Sequence, residues 1–260
     1  MKREILITGG AGNLGSSLTN SLLLENNNHV VVVDNLLTGN TDKLDKRDNL
    51  QFYNADVNSY QAMSEIMKSH SFDLVFHYAA VVGVERTLKN PIEVLKDIDG
   101  IKNILDLSLD ADVQRVFFSS SSEVYGEPVE IPLNEQTTPL NSRLPYAIVK
   151  NVGEAYFRSY KKIHTLDYTI MRFFNTYGPL QSEDFVIPKF VKCALNNDVI
   201  SINGDGSQTR TFLYIDDNLN FIHVLFEWEQ EPDASEYNIQ ASNSISFNNL
   251  YINTNTENTV

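Results

Sequence analysis

Ile5-Leu6-Ile7-Thr8-Gly9-Gly10-Ala11-Gly12-Asn13-Leu14-Gly15 decides the fold of this chain. A short apolar run passes directly into a glycine-rich turn, and the segment after the turn opens a helix. Gly10, Gly12 and Gly15 stand in G-x-G-x-x-G spacing, where glycines permit a tight turn, close approach of backbone to a pyrophosphate, and close packing of helix on sheet. The N–H groups at the helix N-terminus attract the phosphates. A glycine-rich turn without a ligand is the plainer alternative, and the strand-turn-helix context weighs against it.

Outward from the loop, Ile5 to Thr8, His29 to Val33, Gln51 to Asn54, Leu74 to His77 and Val116 to Ser119 read as short strands separated by longer amphipathic segments. Strands that are apolar almost throughout, alternating with helices, predict an α/β fold: a doubly wound parallel sheet covered on both faces. Asp34 ends the second strand about twenty residues after the loop, where a carboxylate accepts hydrogen bonds from ribose hydroxyls and repels a 2′-phosphate. That selects NAD over NADP, unless Asp34 simply caps the turn at Asn35. Asp56-Val57, after the third strand, either meets the adenine or is turn chemistry. Beyond Arg172 the rhythm changes, with a helix from Phe185 to Asn196, a turn at Gly204-Asp205-Gly206 and a helix from Asp216 to Glu227. The expected division is residues 1–172 as the nucleotide-binding domain and 173–260 as a smaller, interleaved substrate lobe. Ser246 to Tyr251 starts like a capped helix, but Ile252 to Val260 is polar, poor in helix formers and expected to fray.

Composition narrows the partners. A formal charge of −14, from 34 acidic and 20 basic residues, argues against duplex nucleic acid or an anionic membrane as the main ligand. The only cysteine, Cys193, cannot form an intrachain disulfide, which fits a reducing cytoplasm, and it excludes a cysteine-built metal site. No metal is expected. The apolar run after Met1-Lys2-Arg3 is too short for a signal peptide core or a membrane span.

The chemistry points to Tyr146-Ala147-Ile148-Val149-Lys150. Residues four apart share a helix face, so a lysine can sit beside the phenol and favour its ionised form, making it a base for a sugar hydroxyl. Such a pair arises readily by chance in a chain with 12 Tyr, so its weight comes from its surroundings. Those are the glycine loop, His77-Tyr78-Ala79-Ala80 after a strand, and Ser119-Ser120-Ser121-Ser122-Glu123-Val124-Tyr125-Gly126 after the next long strand.

In this order the motifs resemble the extended short-chain dehydrogenase/reductase family of NAD-dependent nucleotide-sugar epimerases, dehydratases and decarboxylases. The resemblance continues through Arg172-Phe173-Phe174-Asn175 and Gly204-Asp205-Gly206-Ser207-Gln208-Thr209-Arg210, and Gly9, Gly12 and Gly15 have its glycine spacing. It implies a Rossmann-type sheet with NAD held by Gly9, Gly12, Asn13, Leu14, Gly15, Asp34, Asp56, Val57, Ala79, Ala80, Tyr146 and Lys150. It implies Tyr146 as the base at the sugar 4-hydroxyl while hydride leaves C4, Lys150 on the nicotinamide ribose, and Ser121 sharing the proton. Ser120 and Ser122 remain alternatives to Ser121 on the residues alone. Asn175 and Arg210 match the residues that meet the substrate diphosphate; Arg86, Lys189 and Lys192 are weaker candidates. A local turn bond for Asn175 and a surface salt bridge for Arg210 are the plainer readings. The family also implies a homodimer.

Oxidation at C4 is common to the family and the second half of the reaction differs. A 4-epimerase returns the hydride to the other face; a 4,6-dehydratase needs a carboxylate to take the C5 proton; a uronate carboxylate β to the ketone leaves as carbon dioxide. Glu123 in Ser121-Ser122-Glu123-Val124-Tyr125-Gly126 looks like the dehydratase and decarboxylase versions, so lyase chemistry on a UDP- or dTDP-sugar is preferred over 4-epimerisation. Glu123 as a structural carboxylate is the alternative. Ser122 stands where many dTDP-glucose dehydratases carry an aspartate, and Asn13 where the family usually has a large apolar residue. Relatives usually continue beyond this length, so the lobe is expected to be truncated, and a non-catalytic NAD-binding relative is the competing class.

Overall fold

The computed structural model describes residues 2–202, 204–227, 234–241 and 245–246. Its centre is β1 (Arg3–Thr8), flanked by β2 (Asn28–Asp34) and β4 (Leu74–His77). With β3 (Leu50–Asn54), β5 (Arg115–Ser121), β6 (Asp167–Phe173) and β10 (Ala234–Ile239), these form one sheet in the order β10-β6-β5-β4-β1-β2-β3. Every pairing in it is parallel. The chain winds one way from β1 to β3 and the other way from β4 onward, so the loops after β1 and β4 diverge and leave a crevice at the carboxyl ends of the strands. The fold is the Rossmann-like doubly wound α/β architecture.

The near-continuous apolar strands follow from burial on both faces. Leu6, Val31, Val33, Val75, Val116 and Phe118 point into one core, with α2 (Tyr60–Ser69), α4 (Pro91–Asp110) and α5 (Pro145–His164). Ile5, Ile7, Val30, Val32, Phe76 and Phe117 point into the other, under α1 (Asn13–Leu22) and α7 (Ile215–Glu227). Phe76 stacks on Phe117 at 4.4 Å in one core and Phe118 on Phe157 at 4.8 Å in the other. The short α3 (Val84–Lys89) precedes α4. Among the described residues no helix is long and apolar enough to cross a membrane.

The remaining elements gather over the carboxyl edge. β7 (Asn175–Tyr177) pairs in parallel with β9 (Phe212–Tyr214), β8 (Thr209–Arg210) pairs antiparallel with β11 (Ile245–Ser246), and α6 (Val186–Asn196) lies between β7 and β8 in the chain. Ser246 is therefore a strand residue, while Phe247 to Tyr251 of the expected helix and Ile252 to Val260 of the expected frayed tail lie outside the described residues.

One buried charge network ties the sheet to its helices. Arg172 on β6 and Glu154 on α5 are both 0 % exposed. The guanidinium meets both carboxylate oxygens, at 2.9 and 2.7 Å, and also donates to Glu236 on β10 at 2.7 Å and to the Tyr125 hydroxyl at 2.8 Å. Ser120 Oγ donates to Glu154 at 2.6 Å, and Arg158 donates to Glu154 and Glu236 at 2.8 and 2.6 Å. Such a set is held by mutual satisfaction; removing one partner strands a desolvated charge. Arg172→Met is expected to lower unfolding free energy by about 3–5 kcal/mol in urea titrations, whereas Arg172→Met combined with Glu154→Leu recovers much of that loss.

Candidate active site

Gly9 leaves β1 with φ at +68°, and a Cβ there would lie 2.6 Å from the Ala79 amide nitrogen. Gly9 N–H donates to Val33 O at 2.7 Å, which ties the loop to the end of β2. A Cβ on Gly15 would sit 2.2 Å from Gly9 O, so α1 can lie this close to the loop only without a side chain there. Gly12 is the extended N-cap of α1 and no side chain caps that helix, so its first N–H groups keep their capacity for an anion. Asn13 Oδ1 is buried there with no hydrogen-bond partner, and Leu14 packs against the core.

Asp34 is buried at the end of β2 and bridges two loops, accepting from Ala11 N–H at 3.0 Å and Leu36 N–H at 2.8 Å. Each carboxylate oxygen retains a lone pair for a ribose hydroxyl. A Cβ on Gly39 would come within 2.7 Å of its Oδ1, and Lys43 lies close enough to feel its charge, although burial pulls the Lys43 ammonium below its ordinary range. Asp56 is exposed and holds its own turn, accepting from Asn58 N–H at 2.8 Å and from Asn35 at 3.3 Å. Val57 is buried beside it, and its carbonyl accepts from Asn103 at 2.9 Å. Ala79 and Ala80 line the exit of β4, where Ala79 N–H reaches Thr8 Oγ1 at 3.4 Å. The glycine cradle, the unpartnered amide oxygen and the carboxylate at the end of β2 together fit a dinucleotide.

Ser121 is the last residue of β5, and its Oγ accepts from Glu123 N–H at 3.2 Å. Its hydroxyl also lowers the proton affinity of the neighbouring Tyr146 phenol, whereas Ser120 is committed to Glu154. Pro145 starts α5 with its fixed φ, placing Tyr146 and Lys150 one turn apart on the buried side. Lys150 is 2 % exposed; its Nζ donates to Ser119 O at 2.6 Å and lies 5.0 Å from the Phe118 ring centroid and 5.7 Å from that of Tyr146.

The electrostatics differ from the expectation that Lys150 favours the phenolate. Burial pushes the Tyr146 phenol up to about 12, against the Ser121 hydrogen bond that lowers it, and Glu123 and Asp97 add to the rise. Burial likewise pulls Lys150 down to about 8, opposed by Asp97 and Glu154. Desolvation outweighs the pairing because both groups leave water together. His77, at the end of β4, is pushed down to about 3 by burial and then by Lys150, so it stays neutral and shares a 2.8 Å hydrogen bond with Thr8.

Asp97 was not legible as a site residue in the sequence, being one of many acids on a helix. It is buried, its Oδ2 accepts from Val81 N–H at 2.7 Å, burial raises its carboxyl, and it acts electrostatically on both Lys150 and Tyr146. Glu123, by contrast, is exposed and its carboxylate has no hydrogen-bond partner among the described residues, yet its charge reaches Tyr146.

The candidate substrate residues fall into two groups. Asn175 follows β6, whose Phe173 pairs with Ser121, and its amide donates to Thr211 O at 3.0 Å, next to Arg210. Arg210 is exposed, donates only to its neighbour's carbonyl at 2.7 Å, and has no acidic partner among the described residues. Arg86 donates to Val82 O at 3.0 Å and stands 3.7 Å from Asp184. Lys192 is an exposed charge paired with Glu183 at 2.6 Å, and Lys189 is exposed.

Residues 5–239 match the model of the family described as "NAD dependent epimerase/dehydratase family". The chain belongs to that family. It is 36% identical over 227 residues to a UDP-N-acetyl-alpha-D-glucosaminuronate decarboxylase of Bacillus cytotoxicus, covering 84% of this chain and 69% of that protein. It is 35% identical over 234 residues to a UDP-glucose 4-epimerase of Halalkalibacterium halodurans, covering 85% and 67%. A crystal structure of a Thermotoga maritima UDP-glucose 4-epimerase with UDP-glucose superimposes with a TM-score of 0.87 at 31% identity, over 95% of this chain and 79% of that one. The family is one of NAD-dependent enzymes, so the dinucleotide that the cradle fits is NAD, and relatives with both epimerase and decarboxylase names match this chain in sequence.

A Gly15→Ala substitution tests the cradle. The added methyl must displace Gly9 O, and overpacking of this kind costs about 1–3 kcal/mol. NAD binding measured by calorimetry is expected to fall below detection while circular dichroism still shows a folded protein.

Proposed function

We propose that this chain is an NAD-dependent nucleotide-sugar enzyme that works through a transient 4-keto sugar and completes lyase chemistry, either 4,6-dehydration or uronate decarboxylation. The observation that carries the reading is Glu123: an exposed carboxylate with no hydrogen-bond partner among the described residues, whose charge reaches the half-buried Tyr146 next to Ser121.

Ser121 and Tyr146 would form the proton path at a sugar O4: the phenol must first lose its own proton, which the positive charge of bound NAD would favour, and the phenolate then takes the O4 proton that Ser121 shares. Lys150 is fixed by Ser119 O and is the group that meets the cofactor ribose. When bound, NAD supplies the hydride acceptor and a positive charge in a cleft whose own groups leave the phenol protonated. Once C4 is a ketone, the C5 proton is acidic; in a dehydration Glu123 would remove it as the C6 hydroxyl leaves as water, and the hydride would return to C6, whereas a uronate carboxylate β to the ketone would leave as carbon dioxide. Arg210 and Asn175 hold the substrate diphosphate, because dianionic oxygens on a protein of charge −14 need a guanidinium not neutralised by an acid. Gly9, Gly12, Asn13, Leu14, Gly15, Asp34, Val57, Ala79 and Ala80 line the NAD site, and Asp56 borders it. Arg86 stands at the Asp184 side as a further contact for substrate. The 4-epimerase reading is favoured by the similarity to the Halalkalibacterium halodurans and Thermotoga maritima enzymes. Exposed Leu88, Ile92, Leu95 and Ile148 on α3, α4 and α5 support a homodimer.

Incubation with UDP-glucose, UDP-glucuronate, UDP-N-acetylglucosaminuronate and dTDP-glucose, with products resolved by mass spectrometry, is expected to show loss of water or of carbon dioxide. An isomer of unchanged mass establishes the epimerase instead, and no turnover of any sugar with NAD bound favours the non-catalytic reading. Tyr146→Phe is expected to lower kcat by about 10²–10⁴-fold with NAD affinity retained. Glu123→Gln is expected to lower kcat for dehydration by a similar about 10²–10⁴-fold, and to leave an epimerase within a few fold of wild type.

A further inference from the structure

At the amino ends of the strands, opposite the active site, Glu4 on β1 and His29 on β2 are direct partners in the parallel register. Their side chains therefore stand beside each other on one face of the sheet. His70, the C-cap of α2, brings a second imidazole onto the same spot. Glu4 Oε1 lies 2.7 Å from His70 Nδ1 and 3.2 Å from His29 Nδ1, and all three donor atoms lie within 4.8 Å of one another. The two rings stack with centroids 6.3 Å apart.

We propose that Glu4, His29 and His70 form a binding site for a divalent first-row transition cation of the zinc type, remote from the catalytic cleft. Two imidazole nitrogens and one carboxylate oxygen are a zinc donor set, and metal–nitrogen distances of about 2.0–2.1 Å set tetrahedral ligand separations of about 3.3 Å. The His29–Glu4 spacing of 3.2 Å is close to that value, and the His70–Glu4 pair, at 2.7 Å, opens by about 0.6 Å when a cation replaces the shared proton.

The surrounding hydrogen bonds orient the donors as metal ligands require. Glu4 Oε2 accepts from Ser71 N–H at 2.9 Å, which leaves Oε1 for the cation. His70 Nε2 lies 3.0 Å from the Tyr53 hydroxyl, which accepts from Gln51 at 2.6 Å. With its Nε2 proton on Tyr53, the His70 ring presents the Nδ1 lone pair to the cation. Glu4 and His29 keep side-chain exposures of 25 % and 31 %, so water can reach the remaining coordination position. A cation here clamps β1, β2 and the turn leading from α2 to β4.

Zinc titration calorimetry on the metal-free full chain, with cobalt as a visible probe of tetrahedral coordination, tests the site. One zinc per chain is expected, with a zinc-dependent rise in thermal midpoint. Affinity should fall at least about 100-fold in His70→Gln and His29→Gln, and about 10–100-fold in Tyr53→Phe, which removes only an outer hydrogen bond. His29 is partly exposed, so its substitution leaves the fold intact for the measurement. Absence of saturable zinc binding in the wild type, or equal affinity in the wild type and His29→Gln, overturns the proposal and leaves a hydrogen-bonded histidine–glutamate cluster.

Discussion

A parallel sheet that is apolar on both faces has to be covered by helices on both sides, and every other feature of this chain follows from how that covering is achieved. Each crossover returns a strand in the same direction, so all the strand exits lie along one edge. Asp34, the glycine turn, Ala79, Ser121 and Asn175 are successive points on that edge. They are far apart in the chain and share a cleft because the sheet aligns their strands. The close approach of α1 to the loop, which only Gly15 permits, sets the depth of the cleft floor.

Removal from water governs the chemistry of the cleft more than any single pair of charges. Tyr146 and Lys150 are pushed in opposite directions, the phenol away from ionisation and the ammonium toward neutrality, because desolvation acts on both along one face of α5. His77 is held neutral beside them by the same effect. Asp97 and Glu154 partly restore the positive charge on Lys150, and each is itself fixed by other groups: Asp97 by Val81 N–H, Glu154 by Arg172. The ion network under the sheet and the proton path above it are therefore one electrostatic unit.

The local code of the chain reads well where neighbours in sequence are neighbours in space. Leu74 to His77 reads as a strand and is one to the residue, and the helices predicted from Phe185 and Asp216 differ from α6 and α7 by one residue at the start. β6 and β10 escape such a reading: Asp167–Phe173 carries Thr169 and Arg172 inside an apolar strand, and Ala234–Ile239 has polar residues at its centre. Their polar side chains are satisfied by α5 and by each other, a partnership formed only in three dimensions. The same limit applies within the site. The Tyr146–Lys150 spacing is legible, whereas the sense of their proton affinities depends on depth of burial. Glu4, His29 and His70 have no ligand spacing in the sequence; the strand register sets Glu4 beside His29, and the end of α2 delivers His70 to them.

β10 comes after the upper elements in the chain yet pairs in parallel with β6, and Phe174 N–H bonds Ile239 O at 3.1 Å where the two strands end side by side. The segment between leaves at the carboxyl edge and returns to the amino end of β10, and its α7 covers one face of the sheet on the way. Lengthening or redecoration around α6, outside that cover, leaves the register of the strands in place. Selection can therefore rework what the outermost elements hold while the cofactor floor stays constant.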